Sequence, residues 1–175
     1  MRKTTNVMST WKGKQSYDLK RGISEQKVVM PAFADKHGYE WTDSSFVQDT
    51  KGKFDGVLTA HGNSYRIQYK GVIKGSPRGT LLFEYNNVAG NRGWGRGDCD
   101  FIFQRISEVR AVTYNRLRTL DMIHETVGVP GDFDRRNGGT KPVMEWTGRP
   151  GRKDAFIYIP VDLLIRHCQG YWRDI

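Results

Sequence analysis

Residues 54–70, FDGVLTAHGNSYRIQYK, constrain the fold more than any other stretch of this sequence. Phe54 to Thr59 and Ser64 to Lys70 carry the β-branched and aromatic residues that suit strands, and Ala60-His61-Gly62-Asn63 between them holds a Gly-Asn pair that suits a tight connection. The two segments are expected to pair antiparallel. Side chains alternate along a strand, so Arg66, Gln68 and Lys70 share one face while Ile67 and Tyr69 share the other. One face is polar and the other can enter a core.

On the N-terminal side, Tyr17 to His37 places Leu19, Ile23, Met30, Phe33 and Ala34 at near-helical spacing, which predicts a helix packed on the domain. Gly38 is its expected stop, and Pro31 is expected to kink or break it. Residues 1–16 read as a flexible basic N-terminus. Beyond the hairpin, Gly75 to Gly79 breaks structure, Thr80 to Tyr85 resumes a strand pattern, AGNRGWGRGD is a Gly-rich loop, and Cys99 to Ile106 reads as a central strand. Val109 to Tyr114 suits a further strand, and Asn115 suits the cap of a helix through Glu125 with Leu117, Leu120 and Ile123 on one face. Residues 128–153 form a long basic loop region, Ala155 to Ile159 a short strand, and Pro160 opens a last helix that turns Val161, Leu164, Ile165 and Cys168 inward. A single α/β (α+β) domain over 1–175, with a central mixed β-sheet flanked by helices, accommodates this order.

The formal charge of +9 favours a polyanionic partner. Cations recur in the Gly- and Pro-rich loops as Lys74, Arg78, Arg92, Arg96, Arg135 and Arg136, then Arg149, Arg152 and Lys153, a distribution that suits loops reaching toward phosphates. With Arg66 on the polar hairpin face and Trp94, an aromatic able to stack or wedge at a base step, the first six are candidate DNA contacts. GNRGWGRG lacks the order of a phosphate-cradling P-loop. Cys99 and Cys168 lie far apart without C-x-x-C spacing, and the four histidines lack metal-binding spacing, so a zinc centre finds no support and two free thiols are expected. No window approaches the roughly 18 to 20 apolar residues of a membrane span. The opening MRKTTNVMSTWKGKQ has no apolar h-region, and the expected compartment is the cytoplasm.

Metal-assisted phosphodiester hydrolysis needs oxygen ligands for the ion and a positive group near the phosphate. Asp55, Gln68 and Lys70 supply both kinds at one end of the hairpin, and Gly56 beside Asp55 leaves room for a metal or phosphate to approach. Asp55, twelve intervening residues and then Gln68-Tyr69-Lys70 resembles the signature of the PD-(D/E)xK nuclease superfamily. The form with Gln in place of the second acid is similar to that of Mrr-type restriction endonucleases and Holliday junction resolvase-like nucleases. The resemblance implies a restriction endonuclease-like core, Mg2+ (Mn2+ as substitute), DNA cleavage, an endonuclease and a homodimer. By the resemblance Asp55 would be a metal ligand, Gln68 would take the second ligand position, and Lys70 would position the attacking water or stabilise phosphate charge. Glu25 would take the first-helix position, acting through an ordered water or the metal. Phe54 stands where the superfamily usually has Pro, and the neutral Gln68 leaves the site one charge short. Glu84, on the strand after the hairpin, and next Asp49, are the carboxylates able to compensate. The competing reading is a noncatalytic basic DNA- or RNA-binding protein whose hairpin face grips phosphates.

Overall fold

The computed structural model describes residues 7–45, 47–73, 75–131, 133 and 143–175. Within them the chain has a mixed α/β fold with three α-helices and a mixed central sheet. Helix α1 (Val7–Lys36) runs on through Pro31, and it begins well before Tyr17, taking in residues 7–16. A mid-helix proline removes a donor and crowds the preceding turn. Here Met30, Phe33 and Ala34 around it are buried, and their packing on the sheet holds the helix continuous. Ile23, expected on the same packed face, is 43% exposed. Gly38 stops the helix as its spacing predicts: at φ +67° it lets Tyr39 N–H reach Ala34 O at 2.8 Å and its own N–H reach Asp35 O at 3.1 Å, a Schellman closure.

The strands are β1 (Glu40–Asp43), β2 (Gly56–Ala60), β3 (Asn63–Lys70), β4 (Thr80–Asn86), β5 (Phe101–Arg105), β6 (Arg110–Asn115), β7 (Ala155–Pro160) and β8 (Tyr171–Asp174). Six form one sheet in the order β1-β2-β3-β5-β6-β8, in which β3 and β5 are parallel and the other neighbours antiparallel. The β2–β3 hairpin closes through His61 and Gly62, both at positive φ, immediately before the Ala60–Asn63 pair. That is the two-residue turn whose twist matches paired strands. β4 leaves the main sheet and pairs antiparallel with β7 in a separate two-stranded sheet.

Alternation sorts the central sheet into two faces. Ile67, Tyr69, Phe103 and Ala111 pack with Met30 and Phe33 of α1, while Ile102, Val112 and Tyr114 face the other way into a larger core with Phe83, Ile157 and Ile159 of β4 and β7. Helix α2 (Arg116–Val127) closes that core through Ile123, and helix α3 (Val161–His167) through Val161 and Leu164. Each large side chain buried in this way contributes about 1.5–3 kcal/mol. Asn115 caps α2 as expected, its side chain accepting from Arg118 N–H at 3.0 Å. Leu117 does not share the buried face; it is 55% exposed, and Thr119 takes the inward position. Cys99 and Cys168 are free and buried. Among the described residues no helix is long and apolar enough to cross a membrane.

Candidate functional site

Asp55 lies one residue before β2, where the ladder that pairs Gly56 with Ile67 brings it opposite Gln68. Its main chain is fixed on three sides: Asp55 N–H donates to Ile67 O at 2.8 Å, and Asp55 O accepts from Ser44 N–H at 3.0 Å and from Gln26 Nε2 at 3.1 Å. The carboxylate is held through one oxygen. Oδ2 accepts from Tyr69 N–H at 2.7 Å and from Gln68 Nε2, whereas Oδ1 makes no hydrogen bond among the described residues. Burial pushes the Asp55 carboxyl above its ordinary pKa, and Lys70 and the Tyr69 N–H pull against that rise.

Asp55, Gln68 and Lys70 open onto a cavity of 610 Å³ between the central sheet, β4 and α1. Glu84 of β4 lines the same cavity. Its carboxyl is also pushed up by burial and pulled down first by Lys70, so one ammonium serves two carboxylates. The Trp94 N–H lies 3.5 Å from Glu84 Oε2, and Lys70 Nζ lies 5.4 Å from the Trp94 ring centre. Asp49, Lys53 and Arg92 complete the basic and acidic lining, and Gly22, Ile23 and Gln26 form a stripe of α1 along it.

Other expected site residues fall elsewhere. Glu25 does not line the cavity; its Oε1 accepts from Tyr69 OH at 2.8 Å and Arg105 Nη1 at 2.5 Å, on the α1 side of the sheet. Gly56 does not leave a way in for metal or phosphate. A Cβ there would stand 2.2 Å from the Trp41 ring and 2.7 Å from Thr42 O, so the space is filled by Trp41. The Gly-rich loop is packed rather than free: a short 3-10 turn at Trp94–Arg96 lies on β4, where a Cβ on Gly95 would meet Phe83 at 2.4 Å and Glu84 O at 2.7 Å. The Trp94 ring leans on Phe83. Arg96 turns inward, donating to Tyr85 O at 2.9 Å and Asn86 Oδ1 at 2.6 Å.

Arg66 forks onto Asp100 at 2.9 Å, and although burial raises the Asp100 carboxyl, these bonds hold it below its ordinary pKa. Arg92 donates to Lys51 O at 2.7 Å and pairs with Asp98 at 3.2 Å at the cavity edge. Arg78 is exposed in the turn before β4. Lys74, Arg135 and Arg136 lie outside the described residues. Gln26 and Lys53 were not singled out from sequence; the i, i+4 spacing of Gly22 and Gln26 is the signal that would have found the former.

Among the described residues no three His, Cys, Asp or Glu side chains gather closely enough to hold a metal ion. The oxygen donors that the cavity offers include the unbonded Oδ1 of Asp55, the Glu84 and Asp49 carboxylates and the Gln68 amide. A hard cation such as Mg2+ is commonly held by one or two carboxylates, with water and substrate phosphate in its remaining positions, and this donor set fits that chemistry. Comparison with protein-family models, curated proteins and solved structures gave no match to this chain.

Proposed function

We propose that this chain is a Mg2+-dependent deoxyribonuclease, an endonuclease that hydrolyses DNA phosphodiester bonds on a restriction endonuclease-like core. One observation carries the reading: Asp55, Gln68, Lys70 and Glu84, from three strand segments and two sheets, line one cavity. A helix-flanked mixed sheet with Asp and Q-x-K on adjacent strands is also the arrangement that the sequence resemblance implies. Asp55 and Glu84 would hold the ion, with Mn2+ able to replace Mg2+. When bound it would supply Lewis-acid polarisation of a phosphoryl oxygen and a more acidic water. Gln68 fixes the Asp55 carboxylate through its amide N–H. Lys70, which lines the cavity with the two carboxylates and whose charge acts on both, offers an ammonium to the charge that grows on the phosphate and orients the attacking water. Lys53 and Arg92 meet flanking phosphates at the rim. A homodimer would bring two such centres to the two strands.

The absence of a three-group metal cluster among the described residues favours one rival, a noncatalytic basic DNA- or RNA-binding protein. The two readings separate on chemistry. Supercoiled, linear and branched DNA incubated with Mg2+ or Mn2+ should be nicked by the wild type, and the rate should fall roughly a hundredfold or more in Asp55→Ala and Lys70→Ala. No nicking of any substrate, or undiminished nicking in both variants, sinks the nuclease reading.

A further inference from the structure

We propose that Glu25, with Tyr69 and Arg105, is a positioning device for the Asp55 carboxylate, acting from α1 beside the cavity without lining it. The kinetic part of this inference rests on the nuclease reading; the geometric part does not. Tyr69 is the joint. Its hydroxyl donates to Glu25 Oε1 at 2.8 Å, and its main-chain N–H donates to Asp55 Oδ2 at 2.7 Å. Arg105 braces the same Glu25 oxygen at 2.5 Å and is itself fixed by Nε donation to Ser107 O at 3.1 Å. Tyr69 is 4% and Arg105 9% exposed, so water competes little for these bonds.

The next residue of α1 grips the other side of the pair: Gln26 Nε2 donates to Asp55 O at 3.1 Å. Two consecutive helix residues therefore hold the strand that supplies the N–H and the residue that receives it. Beyond Lys70 the chain passes close over the Glu25 carboxylate, since a Cβ at Gly71 would come within 3.0 Å of Oε1. Because Asp55 is bonded through Oδ2 alone, the Tyr69 N–H and the Gln68 amide together set where the free Oδ1 points, and Tyr69 is the one that α1 braces. Reactive geometry is unforgiving, and a displacement of about 1 Å can cost roughly a hundredfold in rate. Glu25 thus acts through Tyr69 and touches no reacting atom.

The test compares Glu25→Ala, Glu25→Gln and Tyr69→Phe by amide hydrogen exchange at residue 69, and by kcat, KM and Mg2+ half-saturation in DNA nicking. Glu25→Ala and Tyr69→Phe should each speed exchange at residue 69 about tenfold or more relative to core amides. Glu25→Gln should keep most of the protection, because its amide oxygen still accepts the Tyr69 hydroxyl. kcat should fall in the same order with KM unchanged, and Mg2+ half-saturation should rise in step with the exchange rate, because Oδ1 is the donor that the Tyr69 N–H helps to aim. Tyr69→Phe keeps its ring packed on Phe103, so it reports even if Glu25→Ala, which strands Arg105, does not fold. The proposal is overturned if exchange at residue 69 in Tyr69→Phe matches wild type. It is equally overturned if Glu25→Gln nicks as poorly as Glu25→Ala while exchange at residue 69 keeps its wild-type rate in both, the mark of a ligand rather than a brace. If the wild type nicks no DNA while exchange follows the expected order, the positioning device stands and the nuclease reading falls.

Discussion

Two half-buried carboxyls share one lysine, and that arrangement works against the fold. Burial is the leading cause that raises both the Asp55 and the Glu84 pKa. A carboxyl whose pKa is higher folded than unfolded binds its proton more tightly in the folded state, so stability falls as pH rises from the unfolded value through the folded one. The ionised carboxylates therefore cost stability at neutral pH, and the cost is relieved below the raised folded pKa. In metal-free buffer at pH 7, Asp55→Asn should melt higher than wild type, and the gap should close as pH drops below the usual carboxylate range. A variant that melts lower at pH 7 would show that the negative charge itself holds the fold. Gln68→Glu carries the same logic further, since it sets a second carboxylate against Asp55 Oδ2 in place of the amide N–H. Without metal it should melt lower than wild type, and added Mg2+ should raise its melting temperature by more than it raises that of wild type. If Mg2+ shifts neither protein, Gln68 is not at a metal site.

At the scale of elements, what the sequence made legible was local and what it hid was long-range. Asp55, Gln68 and Lys70 could be read together because a two-residue turn and a period-2 pattern set the register of one hairpin. Glu84 could be offered only as the next acid along the chain. Its place in the cavity depends on β4 leaving the main sheet to pair Thr80 with Pro160, a contact no local pattern encodes. The four-residue edge strands β1 and β8 were missed because they are short and largely exposed, with little alternation to register. Glu25 was drawn to the metal by resemblance, while helical geometry turned Gln26 to the cavity instead. GNRGWGRG read as a loop because glycine marks flexibility and close approach alike, and here close approach decides. Gly95→Ala should force Phe83 or the β4 main chain aside, lowering stability by about 1–3 kcal/mol in urea unfolding and displacing Trp94 from Lys70. A variant as stable as wild type, with unaltered nicking, would return the loop to a surface role.

For the whole molecule, the excess of 28 basic over 19 acidic residues states that a polyanion is favoured without saying which face receives it. The structure engages two of the loop cations elsewhere: Arg96 bonds Tyr85 and Asn86 of β4, and Arg149 bonds the buried Asp154 at 2.5 Å. The cations at the cavity, Lys53, Lys70 and Arg92, are then the ones whose phosphate contacts should be visible. Each phosphate neutralised on duplex DNA steepens the fall of log K with log salt by about 0.9. Lys53→Ala and Arg92→Ala should each flatten that slope by about one, measured on a short duplex in Ca2+ to hold off cleavage. Arg96→Ala should leave the slope unchanged and lower the melting temperature, because its guanidinium holds Tyr85 and Asn86 rather than a phosphate. A slope that responds to Arg96 as it does to Arg92 would mean that the loop opens on DNA. The packed loop of the free protein would then be a closed state, and the cavity would widen as the strand enters.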